Sequence, residues 1–434
     1  MTHVIVADLG YGDAGKGTIV DWLCARGVGG RAVTAVVRYN GGAQAAHTVV
    51  LPDGRRHTFA QFGAGTFRPG VRTHLSRFTV VDPLALVVEA DHLASVGVTD
   101  AFDRLTVDAA ALLATPWHRA ANQARETARG ADRHGSCGRG VGETMAYALA
   151  HPGDAPRVAD CRTPAVLADK LALLRDRLTA ELGPLDGPGS AGVPPVRACV
   201  DAFTAFAARV PVVDGGYLPA LLRAGPVVFE GAQGVLLDEW HGFHPYTTWS
   251  TTTFANAQTL LAEAGQAGDV VRLGVLRAFT TRHGAGPLVT EDPTLPLTDP
   301  HNPANEWQGA MRFGHFDAVA HRYALEVAGG VDGIALTHLD AVPPQVRLCQ
   351  AYDWTERLVP GPAGDLDRQA ALTRRLAHTV PRYDAPPPVD RVGAVTDALG
   401  VPVAVTSYGP TAADKSLTAH APGALAALSP AGVT

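Results

Sequence analysis

Val4-Ile5-Val6-Ala7-Asp8-Leu9-Gly10-Tyr11-Gly12-Asp13-Ala14-Gly15-Lys16-Gly17-Thr18 is the stretch that decides the fold. An apolar run stops at glycines, a lysine stands among them, and the amphipathic Ile19-Val20-Asp21-Trp22-Leu23 follows. That order reads as strand, glycine-rich loop, helix. Glycines let successive backbone N–H groups converge, and a helix start and a lysine add positive charge. Such a loop suits a polyphosphate. Two features set it apart from G-x-x-x-x-G-K-[ST]. Gly17 separates Lys16 from Thr18, and Asp13 lies inside the loop. A carboxylate there repels phosphate unless it holds a metal or moves a proton.

The pattern repeats outward from this stretch. Ala32 to Arg38 reads as a second buried strand and runs into a small-residue loop ending at His47. Asp53-Gly54 predicts a hairpin between His47–Leu51 and Arg55–Phe59. Further strands are predicted at Phe78–Val81, Leu105–Val107, Pro226–Glu230, Val270–Thr280, Gly333–Thr337 and Val403–Thr406. Helices are predicted over Leu84–Val96, up to about Gly130, from Thr163-Pro164 to about Leu182, and over Phe316–Val327. Gly231–Gly234 is predicted as a tight turn, and the Gly- and Pro-rich 183–195 as a flexible insertion. Alternating strands and helices imply an α/β fold with a large, mainly parallel sheet flanked by helices. No domain boundary is evident, so residues 1–434 are expected to form one domain. Ligands of such sheets sit at the strands' carboxyl ends, where this sequence places its small and polar loops.

The 434 residues are 46% apolar and only 18% charged, against roughly 25% charged in average proteins; a large core is therefore available and a disordered chain is excluded. A net charge of −6 argues against a general nucleic-acid binder. The five cysteines lack C-x-x-C spacing, which predicts reduced thiols in a cytoplasmic protein and no zinc site. No basic segment followed by a long apolar run marks a signal peptide, and no apolar run is long enough to span a membrane.

Two constellations carry chemistry. Thr337-His338-Leu339-Asp340 resembles the [NT]-K-x-D element that reads guanine, in which a carboxylate accepts from N1–H and the exocyclic amine. Beside a phosphate loop it favours GTP over ATP. Asp13 and His47 follow different strands and can face one crevice as base and acid.

With these residues in hand, the chain resembles the adenylosuccinate synthetase family. The family's G-D-E-G-K-G-K corresponds to Gly12–Thr18, and its R-Y-x-G-G-x-N-A-G-H-T-V to Arg38–Val49. Its G-R-G-I-G corresponds to Gly138–Gly142, and its F-E-G-A-Q-G-x-L-L-D to Phe229–Asp238. Its Y-T-T-R-V-G-A-G-P-x-x-T-E is similar to Phe279–Glu291, and its T-K-L-D and S-x-G-P to Thr337–Asp340 and Ser407–Pro410. The resemblance implies a homodimeric ligase. GTP with Mg²⁺ phosphorylates the 6-oxygen of inosine monophosphate, and the amine of aspartate then displaces phosphate. By position, Asp13 would be the base and, with the Ala46 carbonyl, a Mg²⁺ ligand. His47 would be the acid. Gly12, Asp13, Gly15, Lys16, Gly17, Thr18, His47, Thr48, Arg312, His338, Asp340, Ser407 and Gly409 would meet GTP. Gln44, Cys137, Gln233, Thr248 and Ala310 would meet the acceptor.

The departures concentrate on the substrate side. Ala14, Gln44 and Cys137 replace the family's glutamate, asparagine and threonine. The segment resembling T-T-G-R-x-R, which grips aspartate, reads Trp307-Gln308-Gly309-Ala310-Met311-Arg312. Residues 147–156 contain no Arg or Lys where the family carries two arginines that reach the acceptor phosphate across the dimer. An Arg fork is hard to replace for carboxylates. The expectation is a ligase with intact GTP chemistry and altered substrates. Arg139, Arg157 and Arg282 are the stand-ins if the chain is instead a housekeeping adenylosuccinate synthetase. A GTP-binding regulatory module is the reading from another class, and it has no need of Asp13 together with His47.

Overall fold

The opening strand, His3–Asp8, is buried along its whole length. Its side chains alternate between faces. Val4 and Val6 join one apolar core with Ile19, Leu23 and Val36, whereas Ile5 and Ala7 join another with Val37, Phe229 and Leu336. A strand apolar on both faces needs cover on both sides, which the helices supply. The computed structural model describes the chain except residues 131–132, 186–191, 267, 300–301, 303, 305, 385, 420–424, 426–427 and 429–434.

The opening strand is central in a ten-stranded sheet. On one side lie Val270–Arg277, Gly333–Thr337, Val403–Ser407 and the edge strand Lys415–Leu417. On the other lie Val227–Gly234, Ala35–Arg38, Arg72–Leu75, Leu105–Asp108 and Val212–Val213. Every pairing is parallel except the last, Val403–Ser407 with Lys415–Leu417. Register does the assembling. Asp8 pairs with Gly234 and with Val275, Arg277 with Thr337, and Leu336 with Thr406. Residues far apart in sequence thus end at one level, and the loops that follow them share one crevice.

Several expectations shift in detail. Of Phe78–Val81 only Val80–Val81 is strand, bridged to Leu112–Leu113. The expected turn at Gly231–Gly234 is a continuation of the strand Val227–Gly234, because its end still pairs with Asp8. The helix expected from Phe316 begins at Ala318, since Asp317 caps it by accepting from Ala320 N. The hairpin forms as His47–Val50 against Arg56–Phe59. Residues 186–191 of the insertion expected at 183–195 lie outside the described residues. No helix among the described residues is long and apolar enough to cross a membrane.

Candidate functional site

Asp8 organises the loop that follows it, a role the sequence did not reveal. Its buried carboxylate accepts from the amides of Gly10 (2.8 Å), Gly12 (3.3 Å) and Ala14 (2.9 Å), and Lys16 Nζ donates to it at 3.0 Å. An internal anion therefore gathers the loop's donors around itself. Helix Lys16–Arg26 starts beyond Gly15, which has φ 89°. The extra glycine also gains a cause. A Cβ at Gly17 would lie 2.8 Å from His47 Cβ and 3.0 Å from its carbonyl carbon. Only a residue without a side chain lets the His47 segment close onto the helix start.

Asp13 has φ 59°. The other non-glycine residues with positive φ among those described are Gln233 and His338, both at 57°. All three line one crevice of about 1410 Å³. Such backbone is uncommon, least so for Asp and His, and it concentrates at functional sites. Arg277 Nε donates to the Asp13 carbonyl at 2.6 Å, and its other arm pairs with Asp299. Burial raises the Asp13 carboxyl, with Arg277 and Lys16 pulling the other way.

His47 Nδ1 lies 2.6 Å from Glu230 Oε1, and Glu230 Oε2 accepts from Ala64 N at 2.9 Å. Both side chains are buried. Burial pushes His47 down to about 4 despite its carboxylate partner. Burial acts to raise Glu230, but His47 and Arg38 outweigh it and hold Glu230 below its usual range. The pair is thus a neutral imidazole donating from Nδ1 to a carboxylate, which leaves Nε2 for a ligand. Glu230 is the second residue the sequence did not single out. A lone acid closing the apolar Val227–Phe229 run was its signal.

Thr337 Oγ1 donates to the Ala14 carbonyl at 2.7 Å and ties the guanine-reading element to the phosphate loop. His338 meets the edge of Phe279 at 6.0 Å between ring centres, and Asp340 is exposed at the crevice. Ser407 Oγ donates to the Gly409 carbonyl at 3.2 Å, and Thr18 Oγ1 donates to the Pro410 carbonyl at 2.8 Å. Lys415 Nζ holds the same loop through the Gly409 and Thr411 carbonyls, at 2.8 and 2.7 Å. Its burial lowers it to about 8.

Gln44, Cys137, Gln233 and Thr248 also line the crevice, with Ala46 and Thr48. Both carboxamide atoms of Gln44, and Oε1 of Gln233, are buried without a hydrogen-bond partner. Unpaired buried amides await a ligand's polar groups. Burial keeps the Cys137 thiol protonated by raising it.

Two of the expected site residues lie apart from the others. Arg312 and Ala310 are not among the residues lining the crevice. Arg312 pairs with Glu291 and donates to the Gly284 and Gly286 carbonyls at 3.0 and 2.8 Å, so its guanidinium is occupied in holding a turn. Ala310 lies on the exposed approach to the strand Met311–Gly314, where its carbonyl accepts from Gly284 N. Of the stand-in arginines, Arg282 is buried among the Ala285, Pro287 and Tyr246 carbonyls, and Arg157 is engaged by the Ala110 carbonyl. Arg139 lines the crevice, exposed.

The strand order and the loop after the opening strand place the molecule among α/β nucleotide-binding proteins with a phosphate loop. The model of the adenylosuccinate synthetase family matches residues 5–415, and the chain belongs to that family. It is 32% identical to adenylosuccinate synthetase of Trichormus variabilis, over 94% of this chain and 93% of the relative. It is 31% identical to that of Magnetococcus marinus, over 94% and 97%. The fold is similar to fully ligated adenylosuccinate synthetase from Plasmodium falciparum, with TM-score 0.76 and 20% identity over 96% of this chain and 99% of that one. It is also similar to succinoaminodeoxyadenylate synthetase of cyanophage S-2L, a structure holding dGMP and dATP, with TM-score 0.61 and 19% identity over 96% and 95%. Members of the family are GTP-dependent carbon–nitrogen ligases that use Mg²⁺.

The residues fit that metal. Among the described residues no three His, Cys, Asp or Glu side chains form a metal-binding group, which excludes an all-protein cage there. Mg²⁺ is ordinarily bound by one or two carboxylates together with substrate phosphates and water. Asp13 beside the phosphate loop meets that requirement, with Ala46 exposed on the same crevice.

Proposed function

We propose that this chain phosphorylates an oxo group of an acceptor similar to inosine monophosphate, using GTP and Mg²⁺, and displaces the phosphate with an amine. The acceptor, the amine or both differ from inosine monophosphate and aspartate. Lys16 leaves Asp8 for the β- and γ-phosphates, joined by the amides of Gly12, Gly15 and Gly17 and by Thr18 and Thr48. Asp340 accepts from guanine, His338 packs against the base, and the Ser407–Gly409 loop closes over it. Asp13 and the Ala46 carbonyl would hold Mg²⁺, which would offset phosphate charge when bound.

Asp13 takes the acceptor's ring proton, and the oxo oxygen attacks the γ-phosphorus. A new O–P bond forms as the bond to the β-phosphate oxygen breaks and GDP is released. His47, held by Glu230, stabilises the passing phosphoryl group. The amine nitrogen then attacks the activated carbon, and phosphate departs with the acceptor's oxygen. Gln44, Gln233, Thr248 and Cys137 set the acceptor's orientation. The chain acts as one domain, in the cytoplasm and as a homodimer, whose mass in solution checks the last point.

One observation carries the altered specificity: the surviving Arg312 is engaged by Glu291 while Trp307 and Gln308 face the crevice. The cyanophage relative, whose structure holds dGMP, supports variation of the acceptor on this fold. The housekeeping reading draws support from the adenylosuccinate synthetases at 32 and 31% identity. A matrix of 6-oxopurines against amines, with GTP and Mg²⁺, separates the two. Phosphate release that needs both an unfamiliar partner and Asp13 is expected. Adenylosuccinate as the best product would overturn the altered specificity.

A further inference from the structure

The edge strand Lys415–Leu417 runs antiparallel to Val403–Ser407, with Lys415 opposite Ser407. Residues 408–414 join the two strands. The role of this loop rests on the ligase reading of the site, in which it closes over the guanine of GTP. Its outer turn is tied within itself. Tyr408 N donates to the Asp414 carbonyl at 3.0 Å, and Asp414 Oδ2 accepts from the amide and the hydroxyl of Thr411 at 2.8 and 2.7 Å.

Three successive carbonyls of the loop are each taken by a side chain. Thr18, at the start of helix Lys16–Arg26, takes that of Pro410. Lys415 Nζ takes those of Gly409 and Thr411 on either side of it. Ser407, Gly409 and Pro410 line the crevice and Lys415 does not, so the ammonium grips the loop from the side away from the ligand. Lysine is almost never buried without a partner, and Lys415 is 5% exposed. Three carboxylates favour its charge through space: Asp414, Asp21 and Asp340. Asp21 is paired with Arg68 and Asp414 is held by Thr411, whereas Asp340 is exposed at the crevice. Burial opposes the charge and outweighs all three. His338 stands where the guanine-reading element has lysine.

We propose that Lys415 is a positioning residue for GTP: its ammonium sets the Gly409–Thr411 segment over the base and supplies a positive charge behind Asp340, so that GTP affinity falls when Lys415 gives up its proton. The neutral amine keeps two N–H donors but loses the charge that roughly doubles the strength of such bonds. With Lys415 lowered to about 8, the grip is present at pH 7 and weakens as pH rises through 8.

Calorimetry on the full-length protein tests this with guanosine 5′-(β,γ-imido)triphosphate and with inorganic tripolyphosphate, each with Mg²⁺. Tripolyphosphate has no base for the loop to hold. From pH 7 to 9 the affinity for the analogue, relative to tripolyphosphate, should fall at least about fivefold. Lys415→Arg stays charged over this range and should keep that ratio within about twofold. Lys415→Met should weaken the analogue about tenfold already at pH 7, with no further fall by pH 9 and with tripolyphosphate unaffected. A wild-type ratio that stays level, or one that falls equally in Lys415→Arg, overturns the proposal. So does unchanged affinity of Lys415→Met for the analogue. If one variant fails to fold, the wild-type profile beside the other variant decides. Failure of the analogue to bind the wild type at pH 7 is a separate result, and it would overturn the ligase reading itself.

Discussion

At the nucleotide end of the crevice, Asp8, Gly234, Arg277 and Thr337 arrive from four strands in register, and each is tied to a neighbouring loop or strand. At the acceptor end, the walls are a glycine loop, two indoles and carboxamides whose buried atoms have no partner. The first end is largely assembled before any ligand arrives, with Lys16 still held by Asp8. The second is completed only by what it binds. That difference separates reaction type, which is set by the rigid end, from substrate choice, which is set by the unfinished one.

The largest effect is expected at the rigid end. Asp13→Asn keeps a residue that tolerates positive φ but removes the base. GTP turnover should fall by about 10²–10⁴-fold with unchanged circular dichroism. A smaller loss would return the regulatory-module reading. Glu230→Gln keeps an acceptor for Ala64 N but no longer holds the His47 tautomer; a fall in kcat of about 10²-fold with little change in the KM for GTP is expected. If kcat is unchanged, His47 acts without its partner.

Arg312→Met sharpens the boundary between the two ends. Because Glu291 and two carbonyls occupy the guanidinium, the KM for GTP should stay within about twofold, and the melting temperature should fall by a few degrees. A tenfold rise in KM would show that Arg312 swings into the crevice.

The smallest effect concerns the scaffold behind the glycine loop. Burial pushes His118 down to about 3. Below about pH 6.5 the unfolded chain protonates this ring and the folded chain does not, so wild-type stability is lost as pH falls toward 4. His118→Gln removes that share. Urea unfolding across this range should show the wild type losing up to about 1.4 kcal/mol per pH unit more than the variant. Parallel slopes would contradict the burial of an uncharged ring.

The strand–loop–helix of Val4–Leu23 and the small-residue strand ends were legible because apolar period and glycine punctuation are local signals. They sufficed for a parallel α/β sheet and its crevice. Asp8 and Glu230 were not legible as site residues. Each acts across the register of neighbouring strands, and a buried acid in a strand looks alike whether it holds a lysine, a histidine or nothing. The cause of Gly17 was likewise hidden, since it lies in the approach of a segment thirty positions away. The surroundings of Arg312 were hidden in the same way. Its motif position pointed to GTP, but the Glu291 that claims it is displayed only by the pairing of Thr280–His283 with Met311–Gly314 and the bridge of Glu291 to Gly314.

The most direct test of a rigid nucleotide end joined to an altered acceptor end is the initial rate of adenylosuccinate formation from inosine monophosphate, aspartate, GTP and Mg²⁺, measured beside GTP affinity on the same protein. The account predicts firm GTP binding with adenylosuccinate formed far below the ordinary enzymatic range of about 1–10³ s⁻¹. A rate within that range at submillimolar substrates would contradict it.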